Sequence, residues 1–258
     1  MQRVSVDRTL VYGCLHSPFQ DKAAEETLLD FVKYWKPNRI IQNGDIDDLW
    51  AASRWYKRPE RKHMLQDEAD AGVLHSLAIR KAAGKNCEII RNWGNHEFRY
   101  DRYLAENGEW LLEHLPRVWD DMRFEKMFGL EDAKIIPNRG KLGNYARTRL
   151  GKITIGHFEL TRKNSAYTEA ALVNDNGISL VTSHSHRKGV FYKTLLDGTV
   201  LQGVGTGCLA DVDQVDYIEN PNWQQGFVII ENISGKDRYH ITDLPIVGGD
   251  LLYDGRLF

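Results

Sequence analysis

Several features that mark particular classes of protein are missing from this chain of 258 residues. Its three cysteines are odd in number and widely scattered, which argues against a disulfide framework. No apolar run approaches the roughly 20 residues needed to span a bilayer, and the first residues lack the apolar core of a secretory signal. The formal net charge of −2 is not that of a generally basic nucleic-acid binder. We therefore expect a cytoplasmic protein with no membrane partner.

Signs of a modular chain are also missing, because there are no internal repeats, low-complexity tracts or Pro/Ser-rich linkers. A content of 42% hydrophobic and 27% charged residues is ordinary for a globular protein. The sequence therefore predicts a single domain over residues 1–258.

The first hundred residues alternate between predicted strands and helices. Short apolar runs at 9–12, 39–43 and 87–90 predict three strands, and an apolar stripe over 24–35 predicts a helix that stops at Pro37. A second helical stretch is expected over about 49–83, broken near Pro59. Each strand is followed by glycine and polar side chains, which predicts a parallel α/β layer with its site at the carboxyl ends of the strands.

The pattern changes in the second half of the chain. Residues 97–130 are helical in pattern and lie outside the strand alternation, so we interpret them as a helical cap inserted beside the site. A hairpin is predicted over 145–155, turning at Gly151, and a short helix over 166–173 precedes a strand at 178–182. Further strands are predicted at 190–196, 199–204, 227–230 and 239–242.

Side chains that bind metals recur directly after these predicted strands. They comprise four histidines, an aspartate, an asparagine and a cysteine: Cys14, His16, Asp45, Asn95, His157, His184 and His186. A single catalytic zinc takes about three protein ligands, whereas seven ligands suit two metals, about 3.5–4 Å apart, that share Asp45 as a bridge. His184 and His186 need a bend in the chain to converge.

In this order the blocks resemble the calcineurin-like metallophosphoesterase family, and the likeness covers roughly residues 9–210. The matching blocks are Cys-Leu-His at 14–16, Gly-Asp-Ile-Asp-Asp at 44–48, Gly-Asn-His-Glu at 94–97, the lone His157, and Ser-His-Ser-His at 183–186. Leu49, Arg99 and the segment 222–227 give a closer likeness to the phage- and prophage-encoded branch. The resemblance implies a four-layer βαβ sandwich, in which two mixed sheets are flanked by helices and carry a dinuclear metal site at the strand ends.

The family pattern also implies a role for each residue. One metal would be held by Cys14, His16, Asp45 and His186, and the other by Asp45, Asn95, His157 and His184. His96 would not be a ligand; it would protonate the leaving oxygen, with Asp48 orienting it. Asn95, His96 and Arg99 would bind the substrate.

The sequence departs from the family pattern at three positions. Cys14 stands where the family usually has aspartate, Ser183 replaces a glycine, and Phe158 follows His157 in place of glycine. A thiolate carries the same charge as a carboxylate, so the charge balance survives. Its soft sulfur favours zinc or iron over magnesium. We expect two divalent transition-metal ions, zinc, iron or manganese, with zinc or iron favoured at Cys14.

The activity implied is hydrolysis of phosphoester bonds by a metal-bridging hydroxide. The phage-like layout and a basic run (Arg54, Lys57, Arg58, Arg61 and Lys62) favour a phosphodiesterase acting on a nucleotide or nucleic acid. A phosphomonoesterase is one alternative. A non-catalytic binding scaffold is another, with Cys14 and Ser183 as marks of a degenerate metal site.

More ordinary interpretations apply to other residues. The basic run is also consistent with a solvated helix face, Asp47 with a solvent-facing or helix-capping side chain, and Cys14 with a small buried hydrophobic residue. Trp223 and Phe227 are expected to close the core. Surface or satisfied core roles are expected for His63, His75, His114 and His240, and buried thiols for Cys87 and Cys208.

Overall fold

A computed structural model of the chain describes residues 5–54, 64–137, 146–214, 220–233 and 238–258. In chain order the helices and strands are β1 (Val6–Tyr12), α1 (Lys22–Trp35), β2 (Arg39–Asn43), α2 (Leu65–Ala83), β3 (Glu88–Asn92), α3 (Asn95–Asn107), α4 (Glu109–His114), α5 (Pro116–Asp121), α6 (Phe124–Met127), β4 (Lys134–Ile136), β5 (Arg147–Leu150), β6 (Ile153–Gly156), α7 (Tyr167–Asn176), β7 (Ser179–Thr182), β8 (Lys188–Thr194), β9 (Val200–Thr206), β10 (Gln225–Ile233), β11 (Tyr239–Ile246), β12 (Leu252–Tyr253) and β13 (Arg256–Leu257).

The strands form two mixed sheets and a short terminal hairpin. The first sheet has the order β11-β10-β1-β2-β3-β4. The strands β1, β2, β3 and β4 run parallel to one another, and β10 pairs antiparallel with both β1 and β11. The second sheet has the order β5-β6-β7-β9-β8, with β6, β7 and β9 parallel. The parallel strands of each sheet end at one edge, where their loops can meet.

Alternating side chains along the strands place apolar groups on both faces of the first sheet. Val11, Ile41 and Ile90 face the second sheet and pack against Ile155 and Val181 in one core cluster. Their neighbours on the same strands pack on the other face with residues of α1, among them Leu28 and Phe31. On the far side, Leu172 and Val173 of α7 cover the second sheet. The layers are therefore helix, sheet, sheet and helix.

This architecture confirms the predicted α/β class and the four-layer sandwich. The predicted hairpin turns at Gly151, although Tyr145 lies outside the described residues. The 97–130 region is helical, as predicted, and is divided into α3 to α6. Among the described residues, no helix combines the length and the apolar character that a membrane span requires.

Some sequence predictions were incomplete. The prediction missed β4 and the β12–β13 hairpin, which are only two or three residues long. The helix expected from about residue 49 begins at Leu65, after a 3-10 turn at Trp50–Ala52. Residues 57–62 of the basic run and His63 lie outside the described residues, so only Arg54 of that run is placed.

A buried ion pair ties β3 to the loop that follows β2. The Arg91 guanidinium donates to Asp47 at 2.5 Å, and both side chains are 0% exposed. Arg91 also donates to Gln42 at 2.8 Å. The expectation that Asp47 faces solvent or caps a helix was therefore wrong. It failed because the cation that makes its burial possible is 44 residues away in sequence and is recognisable only in the folded chain.

The buried pair predicts a large loss of stability for Arg91→Met. A buried carboxylate left without its cation costs about 3–5 kcal/mol. Arg39→Met is the matched control, because Arg39 lies on the neighbouring strand and its ion pairs with Glu88 and Asp7 are partly exposed; its loss should cost at most about 1 kcal/mol. Urea unfolding of both variants measures the difference.

The same variants carry a pH signature. Burial raises the pKa of Asp47 to about 6, with the Arg91 charge opposing the rise, so without Arg91 the carboxyl binds its proton more tightly still. Because a protonated Asp47 needs no cation, the deficit of Arg91→Met should be larger at pH 8 than at pH 5. Equal deficits for Arg91→Met and Arg39→Met, or a deficit that does not change with pH, would contradict the buried pair.

Candidate metal centre

The parallel pairing of β1 and β2 continues past the ends of both strands. Cys14 donates its backbone N–H to the Gly44 carbonyl at 2.9 Å, and His16 donates to the Asp45 carbonyl at 3.1 Å. Ser17 continues the series to Ile46 at 2.8 Å. The first two predicted ligand loops are therefore fixed against each other by backbone hydrogen bonds.

The Glu97 carboxylate fixes the backbone around Asp45. It is fully buried and accepts N–H groups from Asp45 at 2.9 Å, Ile46 at 2.8 Å and Gly94 at 2.8 Å. Gly94 allows this close approach, because a Cβ on it would lie 2.2 Å from an Asp45 carboxylate oxygen. The glycine of the third block thus makes room for the carboxylate of the second.

One group of predicted ligands gathers on the β3 and β6 side of Asp45. His157 Nε2 lies 3.0 Å from Asp45 Oδ2, 3.2 Å from Asn95 Oδ1 and 3.1 Å from His184 Nδ1. The other ring nitrogen of His157 donates to the Asn43 carbonyl at 3.0 Å. That bond holds the ring with Nε2 directed into the group, which is how ligating histidines are oriented.

A second group gathers on the β1 side. One nitrogen each of His16 and His186 and the Cys14 sulfur all lie within 4.8 Å of one another. His16 Nε2 is 3.1 Å from His186 Nε2, and the other His16 nitrogen bonds Asp48 Oδ1 at 2.9 Å. Cys14 Sγ also lies within 4.8 Å of donor atoms of Asp45 and His157, so the two groups adjoin at Asp45.

The backbone is left-handed at five of the seven predicted ligands. Positive φ angles occur at Cys14 (52°), His16 (56°), Asp45 (54°), His184 (64°) and His186 (57°). This conformation is uncommon outside glycine and costs on the order of 1–2 kcal/mol per residue. At His184 and His186 it supplies the bend that their convergence requires. Strain concentrated at these positions is typical of a functional site.

His96 lies on the open side of the centre. Its backbone N–H donates to Asp45 at 2.9 Å, and its Nδ1 lies 2.7 Å from the Asp48 carbonyl and 3.2 Å from the Asp48 carboxylate. The Arg99 guanidinium lies against the ring, 2.9 Å from Nε2, and donates to the Asp48 carbonyl at 3.2 Å. Asp48 therefore contacts His96 in the way expected of an orienting partner. Asn95, His96 and His184 are partly exposed, which makes this the accessible face.

The electrostatics favour the metal-binding form of two of the predicted histidine ligands, His184 and His186. Burial, reinforced by the charge of His157, lowers the pKa of His184 to about 4. Burial and the charge of His16 likewise hold the pKa of His186 well below its usual value. Both rings are therefore neutral at pH 7, the form in which imidazole binds metals.

The pKa values of Asp45 and Cys14 are shifted in opposite directions. Burial raises the pKa of Asp45, but the charges of His157 and His96 outweigh it and hold that pKa well below the usual value. Burial raises the pKa of the Cys14 thiol well above normal, and the Asp45 charge adds to the rise. Cys14 therefore needs a cation beside it to become a thiolate.

The side chains fit divalent cations. Nε2 of His186 lies 3.1 Å from Nε2 of His16, so both imidazoles direct a nitrogen into the same space. The imidazole nitrogens, thiol, carboxylate and amide oxygen that converge here are the usual donor atoms for transition metals. The ligand role of each residue stays a prediction.

Two departures from the family pattern are accommodated by neighbouring residues. Ser183 accepts a hydrogen bond from Asn43 and bonds Thr206, each at 2.9 Å. Gly13 leaves space for it, because a Cβ on Gly13 would lie 2.5 Å from Ser183 Oγ. Phe158 takes a positive φ and packs under the Arg147 guanidinium. Neither substitution disrupts the site.

Sequence reasoning missed three residues that shape the centre. Glu97 was recognised only as part of a motif, and Asn43 only as a strand residue, although each orients a predicted ligand. Trp223 was expected in the core, which was wrong: it is partly exposed and packs edge-on against His186, with ring centroids 4.1 Å apart. Trp223 lies in the 222–227 segment that resembles the phage-type branch, and that resemblance was the available signal.

The expectations for Phe227, the three cysteines and the other described histidines are confirmed. Phe227 is in the core, and all three cysteines are buried and free. His75 is a satisfied core residue that bonds Glu25 and Tyr12, whereas His114 and His240 are exposed.

Comparison with known proteins found relatives, but no family model matches the chain. The gene 54 protein of Mycobacterium phage D29 is 25% identical over 264 residues, covering 97% of this chain and 98% of that protein. Vps29 from Cryptosporidium parvum aligns in structure with a TM-score of 0.46 and 14% identity, covering 98% and 95% of the two chains. A dimetal phosphatase from Danio rerio aligns with a TM-score of 0.40 and 11% identity, covering 88% and 93%. The likeness to a phage protein therefore extends over nearly the whole chain.

Proposed function

We propose that the protein is a metal-dependent phosphoesterase of the calcineurin-like type. One observation carries the proposal: seven potential ligands from five separate segments converge around one buried aspartate. Burying these polar side chains and straining the backbone that carries them both cost free energy, and a purely structural core gains little in return. The resemblance of the five sequence blocks and the likeness to a phage protein support the phage-type branch.

Two cation positions follow from the two groups of donors. Cys14, His16, Asp45 and His186 would hold one ion, and Asp45, Asn95, His157 and His184 the other. When bound, a pair of divalent cations supplies Lewis-acid activation of the phosphoester and of water. Zinc or iron suits the Cys14 position because of its sulfur.

The chain itself supplies substrate binding and proton transfer. Asn95, His96 and Arg99 lie together on the accessible face, where a phosphate can meet an amide, an imidazole and a guanidinium fork. The His96 ring is held by Asp48 through Nδ1, which leaves Nε2 as the atom that would deliver a proton to the leaving oxygen. A diester, as in a nucleotide or nucleic acid, is the favoured substrate class.

Turnover of small phosphoesters tests the proposal. We expect hydrolysis of bis(p-nitrophenyl) phosphate, faster than of p-nitrophenyl phosphate, when manganese, zinc, iron or cobalt is added. Asp45→Asn should lower the rate by at least about a hundredfold, more than the usual effect of a residue that only supports a ligand. Asp7→Asn, on the exposed part of β1, is the matched control. A folded protein that hydrolyses neither ester with any of these metals would favour the binding scaffold instead.

The acid role of His96 has its own signature. His96→Ala should slow a dinucleotide, whose leaving group is an alkoxide, by about 10²-fold or more. Its effect on bis(p-nitrophenyl) phosphate should be much smaller, since p-nitrophenolate leaves without a proton. His114→Ala, an exposed histidine on α4, serves as control. Equal losses on the two substrates would remove His96 from the acid role.

A further inference from the structure

A charged stripe leads away from the metal centre along α3. Arg99, Arg102, Tyr103 and Glu106 are spaced i, i+3, i+4 and i+7, so they share one face of the helix. This face begins beside Asn95 and His96 at the helix N-terminus. The stripe therefore starts at the accessible face of the centre and continues outward for two turns.

A third arginine joins the stripe from another element. Arg54, just after the 3-10 turn at Trp50–Ala52, forms an ion pair with Glu106. Its guanidinium is thereby held beside the last turn of α3. The stripe thus carries three arginines and one glutamate, a local net charge of about +2 on a chain whose formal net charge is −2.

The arginines nearest the centre are not neutralised by acids. Within the described ranges, no carboxylate forms an ion pair with Arg99 or Arg102. Partial burial lowers the pKa of Arg102, and the charges of Arg54 and Arg99 lower it further. These cations therefore repel one another, which is unfavourable until an anion lies between them.

The stripe extends along α3 beyond the expected position of the reacting phosphate. At a rise of about 1.5 Å per residue, Arg99 and Arg102 lie about 6 Å and about 10 Å along the axis from Asn95. Arg99 contacts the His96 ring and so lies at the centre itself, whereas Arg102 lies one helical turn beyond it.

Exposed aromatic rings accompany the charges. Tyr103 is 41% exposed within the stripe, and Trp110 of α4 is 60% exposed, with His114 stacked on one of its faces. Cations that follow a phosphate backbone, combined with open aromatic faces on which bases stack, are the features that bind single-stranded nucleic acid. The bases of a duplex are stacked inside the double helix and cannot stack on such rings.

We propose that Arg54 and Arg102, beyond the Arg99 that meets the scissile phosphate, form a subsite for the next phosphate, and that the substrate is a single strand of nucleic acid lying along α3. The subsite rests on the proposed function for the position of the scissile phosphate. Its binding of a strand is measurable without turnover.

Fluorescence anisotropy with a labelled octathymidylate tests the subsite on the protein as purified. Arg102→Gln should weaken binding about fivefold or more at low salt and reduce the slope of log K against log salt by about 0.7. Glu106→Gln should strengthen binding, because it removes the only acid of the stripe and releases Arg54. Arg256 lies in the C-terminal hairpin and packs over Tyr34 of α1, so Arg256→Gln should bind like the parent protein.

The opposite signs expected for Arg102→Gln and Glu106→Gln separate a subsite from simple damage to the fold. Equal binding by Arg102→Gln and Arg256→Gln would overturn the proposal. So would inorganic triphosphate competing as well as the octathymidylate, or a duplex of equal length binding more tightly. Gel analysis of the strand after each titration tests the other claim: an intact strand that binds through Arg102 supports the subsite and counts against hydrolysis.

Discussion

The structure depends on one buried carboxylate, that of Asp45. Removing it from water is costly unless opposite charge and hydrogen bonds surround it. Here the carboxylate accepts the His96 backbone N–H and lies against His157, while Glu97 fixes the backbone that carries it. The loops after β1, β2 and β3 of the first sheet and after β6 and β7 of the second all bring side chains to this carboxylate, so both sheets contribute to one centre.

The geometry of these loops shows how the chain supports the centre at a cost. Five predicted ligands adopt left-handed backbone, and the acids and imidazoles are packed within hydrogen-bond distance of one another. The Arg91–Asp47 pair, the Glu97 hydrogen bonds and the paired backbones after β1 and β2 hold these conformations in place. Rigid support around strained side chains is how proteins preorganise a site.

The fold and the membership of the centre were predictable from sequence because they depend on local signals. Apolar runs such as 39–43 give the strands, and glycine followed by Asp45 or Asn95 marks their ends. Contacts between distant segments were not predictable: Asp47 was expected to face solvent or cap a helix because nothing near it in sequence indicates Arg91, and Trp223 was expected in the core because nothing near it indicates His186. The left-handed backbone at Cys14 also lacks a sequence signal, since residues other than glycine rarely have a positive φ angle.

The most direct test of this account is the metal content of protein purified without chelator. Elemental analysis should find two transition-metal equivalents per chain, and Asp45→Ala should reduce both, because the two groups of donors share that carboxylate. The account would be contradicted by folded protein that contains no transition metal, or by Asp45→Ala retaining both equivalents.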